Sequence, residues 1–280
     1  MHSRFIVQAL ALLLSVAAAA AGEIEIRKDI SYAGQHHSDD YAKERLKLDL
    51  YLPKGKKNFT TLVWFHGGGI EAGNKDGKTS VAVAKRFASE GIAVASANYR
   101  LYPKVRYPTY IQDCSESVAW VLSHIGEYGG NPENVFVSGH SAGGYLSAMV
   151  GLHPAYRKVH GVDLSKVAGY IPVAGQMVTH FTVRKERGID RYQPIIDEAA
   201  PSFHVAKDAP PMLVLVGDND MAARLEENQL LVAFMKGKKN PHIELYLGKD
   251  RNHGTIASAM GNENDPGLRK VLEFIKKHSK

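Results

Sequence analysis

The chain is almost without cysteine: Cys114 is the only one in 280 residues. An internal disulfide is therefore excluded. Stability has to come from a buried core, which a chain of this length can supply. Cys114 falls on the apolar stripe of a predicted helix, so burial is its expected role rather than reactivity. Long apolar runs are scarce too, and past the N-terminus none is long enough to cross a bilayer. The thirteen histidines show no H-x-x-x-H or H-E-x-x-H spacing, so no catalytic metal is expected. No repeat and no Pro/Gly/Ser-rich linker divides the chain, which favours one domain. Nor is charge concentrated. The net +6 is spread over small lysine groups such as 54–57 and 236–239. There is no basic helix and no basic stripe interleaved with aromatics, so a nucleic-acid partner is not expected.

At the N-terminus, Arg4 precedes the apolar run "FIVQALALLLSV" and the small residues "AAAAAG". This order of basic start, apolar centre and small residues reads as a secretory signal peptide over residues 1–21, cut after Ala21. Its retention as an anchor is disfavoured, because Phe5 to Ala21 is short for a span and contains Gln8. The expected product is an exported protein, periplasmic or secreted, with no stable membrane span. Asn58-Phe59-Thr60 forms a sequon that matters only in a glycosylating host.

Beyond the leader, apolar runs alternate with helical patterns. Residues 45–53 alternate polar and apolar side chains, which predicts an antiparallel strand with one wet face. Residues 60–67, 91–100, 133–139, 167–175 and 210–218 are continuous apolar runs, as buried parallel strands require. Residues 242–248 read as a last strand. Helical periodicity covers 81–90, 111–125, 142–152, 225–235 and 268–277, and Cys114, Val118, Val121, Leu122 and Ile125 share one stripe. Such alternation predicts an α/β fold, a mostly parallel sheet with helices on both faces.

Gly139-His140-Ser141-Ala142-Gly143 is a G-x-S-x-G match. Alone it is weak, arising by chance in roughly one chain in seven of this composition. Here it sits where a buried strand ends and a helix begins, the setting that a nucleophile elbow needs. Upstream, His66-Gly67-Gly68-Gly69 follows another buried strand. Glycines there let backbone N–H groups approach a developing oxyanion. The expected donors are the amides of Gly68, Gly69 and Ala142. A serine nucleophile needs a base, and the base an orienting carboxylate. His253 follows the last predicted strand and Asp220 follows the strand 210–218, which yields the chain order Ser141, Asp220, His253.

With these residues assembled, the chain resembles an α/β-hydrolase of the esterase/lipase superfamily that carries the HGGG motif. It is similar to hormone-sensitive-lipase-like and acetylxylan/feruloyl-esterase-like bacterial carboxylesterases. The resemblance runs through "LKLDLYLP", "HGGG", "NYRLYPKVRYPTYIQD", "GHSAGG", "PPMLVLVGDND" and "NHG". It implies an eight-stranded sheet, a small lid after the sixth strand, a catalytic domain over 22–280 and no cofactor. It also implies a serine carboxylesterase acting on short-chain esters, either small molecules or acetyl and feruloyl esters on carbohydrate. In such families the acid follows a G-x-x-D pattern, which Gly217 and Asp220 match. Asp218 then becomes a turn residue or a brace behind the relay, and Asp250 a solvated loop charge. His66 is expected to orient the glycine loop, His140 to pack beneath the elbow away from the nucleophile, and His36 and His37 to lie on the surface. The lid is expected within 153–208. Arylformamidases share the fold and triad, but Ile70 stands where their glycine motif usually carries a bulky aromatic. A non-catalytic binding protein on this fold would normally have lost one of the site residues, and here all are present.

Overall fold

The computed structural model describes residues 22–34, 37 and 39–280. The predicted signal peptide, residues 1–21, and His36 lie outside the described residues. Ten strands and eight α-helices follow one another within the described residues. They are β1 (Ile24–Ser31), α1 (Asp40–Arg45), β2 (Lys47–Pro53), β3 (Phe59–Phe65), α2 (Lys78–Ser89), β4 (Ala93–Ala97), α3 (Thr109–His124), β5 (Gly130–His140) and α4 (Ala142–Leu152). Then come β6 (Lys158–Val159), β7 (Val162–Asp163), β8 (Gly169–Val173), α5 (Phe181–Glu186), β9 (Met212–Asn219), α6 (Arg224–Gly237), β10 (Ile243–Asn252), α7 (Thr255–Ser258) and α8 (Pro266–His278).

Eight strands form one sheet in the order β1-β2-β4-β3-β5-β8-β9-β10, and β6 and β7 form a small separate hairpin. β2 pairs antiparallel with β1 and β4, and from β4 to β10 every pair is parallel. The architecture is the expected α/β-hydrolase fold. The parallel strands are buried on both faces. Val63, Phe65, Val135, Val137, Met212 and Val214 point into a core shared with α3, α4 and α6. Leu62, Trp64, Phe136, Leu213 and Leu215 point into a second core closed by α2, α7 and α8. Each fully buried side chain of this size contributes roughly 1.5–3 kcal/mol. Cys114 is fully buried, as its stripe position predicted.

Two expectations about the fold are corrected, and one strand is added to those the pattern predicts. The segment 45–53 is antiparallel, but it has no wet face. Tyr51 joins the core under α2, and Asp49 is buried, with its carboxylate paired to Lys75 Nζ at 2.6 Å and accepting from the Asp29 N–H at 2.8 Å. A polar residue in an alternating pattern was read as solvent-facing, whereas here it is neutralised inside. Strand β1 had not been identified, because the charged run Arg27-Lys28-Asp29 breaks its alternation at a register irregularity. His37 does not lie free on the surface: its Nε2 meets Glu116 Oε2 on α3 at 2.7 Å, and its side chain is 11% exposed. No helix among the described residues is long and apolar enough to cross a membrane.

This topology sets the place of the site. The chain runs from β3 to β4 on one side and returns to place β5 on the other. Open α/β sheets form their crevice at the carboxyl ends of strands at such a reversal. The glycine motif follows β3, Ser141 follows β5, Asp220 follows β9 and His253 follows β10.

Candidate active site

Ser141 joins β5 directly to α4 and holds φ 58° and ψ −114°. This conformation costs a non-glycine residue about 1–3 kcal/mol, so its neighbours must enforce it. Its N–H donates to the Val173 carbonyl at 2.8 Å, and its own carbonyl accepts from the Tyr145 N–H at 3.0 Å. The turn also has to pass tightly over β3. A Cβ on Gly139 would stand 2.6 Å from the carbonyl of Gly143 and 2.7 Å from Phe65 O, and a Cβ on Gly143 would press into the same Phe65 oxygen. Glycine at 139 and 143 is therefore a packing requirement. The buried helix α4 points its N-terminus at Ser141, where free N–H groups and the helix dipole favour negative charge.

Across the crevice, Ser141 Oγ lies 2.8 Å from His253 Nε2, and His253 Nδ1 lies 2.7 Å from Asp220 Oδ1. A carboxylate can only accept, so Nδ1 carries the proton and Nε2 is left to accept from the serine hydroxyl. Asp220 has a side chain closed to solvent, while His253 remains 23% exposed. Burial pushes the Asp220 carboxyl up. Hydrogen bonds from His253 and the Met221 N–H, with the charges of His253 and Arg224, outweigh it and hold the group below its ordinary 3.8. The sequence order thus closes into one relay of serine, imidazole and carboxylate.

The loop bearing His253 is held by residues that the sequence did not single out for this. Asn252 Oδ1 accepts from the N–H groups of Gly254 and Thr255 at 3.0 and 2.9 Å, while Thr255 Oγ1 accepts from the Asn252 N–H at 2.8 Å. The reciprocal pattern resembles a capping box at the start of α7, and its signal, Asn followed three residues later by Thr, was available. Asp218 accepts from the N–H groups of Asp250 and Arg251 at 3.0 and 3.1 Å. It lies near the end of β9 and braces the segment behind the relay, one of the two roles expected of it, and Asp250 is exposed.

His140 departs from expectation. It is half-buried, and it does not point away from the relay. Its Nε2–H donates to the His253 carbonyl at 2.6 Å, and the two rings stand 4.9 Å apart. Burial, helped by the charge of His253, lowers its pKa to about 4. His66 behaves as expected of a loop anchor. Its Nδ1–H donates to the Gly67 carbonyl at 2.7 Å, its Nε2 faces Arg45 at 3.3 Å, and its ring stacks on Tyr99. Burial lowers its pKa to about 3, so it is a neutral fixture rather than a base.

The glycine loop lies beside Ser141, and a Cβ on Gly67 would stand 3.2 Å from the Ser141 Cβ. Among the described residues the N–H groups of Gly68, Gly69 and Ala142 have no protein acceptor. Gly68 holds φ 111° and Gly69 φ 65°. Of the expected lid, only the part after β8 reaches this loop, where the Phe181 ring packs on Gly69 and Thr182 Oγ1 donates to the Gly69 carbonyl. Residues 153–168 adjoin the opposite end of α4, about 16 Å from Ser141 by helix rise. Among the described residues no three His, Cys, Asp or Glu side chains are grouped to hold a metal.

The chain is similar in sequence to proteins named as esterases. Esterase LipC of Mycobacterium tuberculosis is 31% identical over 209 residues, 68% of this chain and 50% of its own. Isoprenylcysteine alpha-carbonyl methylesterase ICME of Arabidopsis thaliana is 24% identical over 284 residues, 88% of this chain and 64% of its own. The chain spans about half to two thirds of the length of the relatives it matches. A truncated carbohydrate esterase from gut microbiota has the same fold, with a TM-score of 0.74, 20% identity and coverage of 93% of this chain and 98% of that one. The BD-FAE family model matches residues 48–235, from β2 into α6. That stretch contains the glycine loop, the elbow and Asp220, and on it the chain belongs to the BD-FAE family of α/β-hydrolases.

Proposed function

We propose that the protein is a serine carboxylesterase that hydrolyses short-chain acyl esters through an acyl-enzyme. The observation that carries this reading is the relay from Ser141 Oγ to His253 Nε2 at 2.8 Å and from His253 Nδ1 to Asp220 Oδ1 at 2.7 Å. His253 takes the serine proton as Oγ attacks the ester carbonyl, and passes it to the departing alcohol. Asp220 holds the imidazole tautomer and stabilises its charged form. The amides of Gly68, Gly69 and Ala142 receive the oxyanion, and water repeats the sequence on the acyl-enzyme. The esterase names of the relatives support the same class of chemistry.

Gly68 is exposed and Gly67 and Gly69 are half-buried, and beside Phe181 a separate pocket is lined by Glu71, Phe181, Lys185, Gly188, Ile189 and Arg191. An accessible site suits short acyl groups on small or carbohydrate-linked alcohols. Export after loss of residues 1–21 would bring the enzyme to such esters outside the cytoplasm, and residues 22–280 form its catalytic domain. The test is turnover of 4-nitrophenyl acetate, acetylated xylan, methyl ferulate and N-formylkynurenine by wild type and Ser141→Ala. Ester turnover that falls by about 10⁴-fold or more in the variant is the expected result. Undiminished turnover in Ser141→Ala removes the mechanism, and hydrolysis of N-formylkynurenine alone moves the activity to a formamide.

A further inference from the structure

The glycine loop has an unusual property: each of its successive carbonyls is claimed. The Gly67 carbonyl accepts from His66 Nδ1–H at 2.7 Å. The Gly68 carbonyl accepts from the N–H groups of Glu71 and Ala72 at 3.1 and 3.0 Å. The Gly69 carbonyl accepts from Thr182 Oγ1–H at 2.5 Å, and the Ile70 carbonyl from the Tyr102 N–H at 2.9 Å. A trans peptide is planar, with its N–H directed opposite to its C=O. Anchoring the carbonyls of 67, 68 and 69 therefore fixes the directions of the N–H groups of 68, 69 and 70. The anchors of 67 and 68 come from the loop and its own turn, and that of Ile70 from the Tyr102 backbone. Only the Gly69 anchor is a side chain of another element, 113 residues along the chain.

That element is itself tied down. Thr182 is fully buried on α5, whose first turn is capped by His180 Nδ1 accepting from the Thr182 N–H at 3.2 Å. The Phe181 N–H donates to Gln176 Oε1 at 2.8 Å, and Gln176 Nε2 in turn donates to Glu227 on α6 at 3.3 Å. The Arg224 guanidinium donates to the Ala174 carbonyl at 2.6 Å, and Asn228 donates to the Gly175 carbonyl at 2.9 Å. The helix that follows Asp220 thus clamps the segment that carries Thr182. The Phe181 ring lies so close to Gly69 that a Cβ there would stand 2.8 Å from it.

We propose that Thr182 is a positioning residue for the proposed esterase chemistry: its hydroxyl pins the Gly69 carbonyl, which orients the Ile70 N–H directly and restrains Gly69 at φ 65°, and so keeps the adjoining Gly68 and Gly69 amides aimed at the substrate oxygen above Ser141. Without the hydroxyl the Gly69–Ile70 peptide can rotate about Gly69, which has no side chain to resist it, and the adjoining donors lose the fixed frame they need when negative charge develops. The proposal rests on the serine-esterase reading and sharpens it.

The test compares wild type, Thr182→Val, Thr182→Ala and Thr182→Ser with 4-nitrophenyl acetate, and measures inhibition by phenylboronic acid, which becomes tetrahedral on a serine. Thr182→Val is expected to lower kcat about tenfold, in the range of a weakened oxyanion contact. KM should stay within about twofold, and phenylboronic acid should lose affinity by a similar factor. Thr182→Ser, which keeps the hydroxyl, should recover to within about twofold of wild type. If Thr182→Val does not fold, Thr182→Ala carries the same expectation. The proposal is overturned if the hydroxyl-free variants keep wild-type kcat and inhibitor affinity, or if Thr182→Ser is impaired as much as Thr182→Val, since packing would then be the cause. Failure of the underlying reading looks different: wild type itself would hydrolyse no ester in a Ser141-dependent way.

Discussion

Ser141 and His253 meet at 2.8 Å, yet the chain holds its two sides of that contact by unlike means. On the serine side, backbone packs against backbone. Gly139 and Gly143 lie against the carbonyls of β3, and β8 accepts the Ser141 N–H. On the histidine side, side chains hold backbone. Asp218 and Asn252 bind N–H groups of an exposed loop, and His140 binds the carbonyl of His253 from below. Steric exclusion tolerates almost no change, because backbone atoms of a central sheet cannot move aside. Hydrogen bonds in a solvated loop are graded, since water replaces part of what is lost. One side of the site is thus a rigid platform, and the other is an adjustable arm.

Breaking either side at its chemical centre should have the largest effect. Asp220→Asn leaves the platform intact but abolishes the carboxylate that orients His253, and kcat for 4-nitrophenyl acetate should fall about 10⁴-fold with a small change in urea midpoint. Gly143→Ala attacks the platform by steric means. It should lose more than about 3 kcal/mol of stability or fail to accumulate as soluble protein, as denaturant titration would report.

Acid should probe both sides together, because the fold holds His66 and His140 neutral, with pKa values of about 3 and about 4 against an ordinary 6.5. Between those values and 6.5 the unfolded chain binds protons that the folded chain refuses. Stability is therefore complete above about pH 6.5 and falls as pH drops toward 4, by about 2 kcal/mol per histidine at pH 5. Replacing His140 with Gln keeps a donor for the His253 carbonyl and removes one titrating group. Its stability slope between pH 4.5 and 6 should shrink by about 1.2 kcal/mol per pH unit, and an unchanged slope would show that the fold does not hold His140 neutral.

The arm should yield by degrees. Asn252→Ala removes the paired cap at α7 and should destabilise by about 1 kcal/mol, with a partial loss of kcat rather than its abolition. Far from both sides, Lys43→Ala breaks only an exposed contact to Asp40 and should change stability by less than about 0.5 kcal/mol. A larger effect there would mean that the comparison understates the N-terminal segment.

The same contrast explains what could be read in advance. The elbow and the glycine loop were legible because steric exclusion writes itself as glycine at fixed spacing around serine. The parallel strands were legible because burial on both faces leaves continuous apolar runs. The arm was less legible. Asp218 is a residue type found in any turn, so its partners do not show in a linear pattern. His140 was misjudged because position beside an elbow says nothing of which carbonyl its ring will reach. Thr182 had no local signal at all, since its partner lies 113 residues away. The strand pattern places Asp49 on a solvent-facing side because Lys75, its neutralising partner inside the fold, belongs to another segment.

The amino-acid sequence by itself determined the layered α/β architecture, the identity of the candidate nucleophile and the order in which acid and base follow it. Those depend on local rules: periodicity, turn chemistry and the absence of a Cβ where backbones touch. Tertiary structure alone decided which groups brace the site. Only folding brings the carbonyls of residues 67–69, the hydroxyl of Thr182 and the clamp from α6 into one network, and a hydrogen bond between distant segments leaves no spacing in the chain to be read.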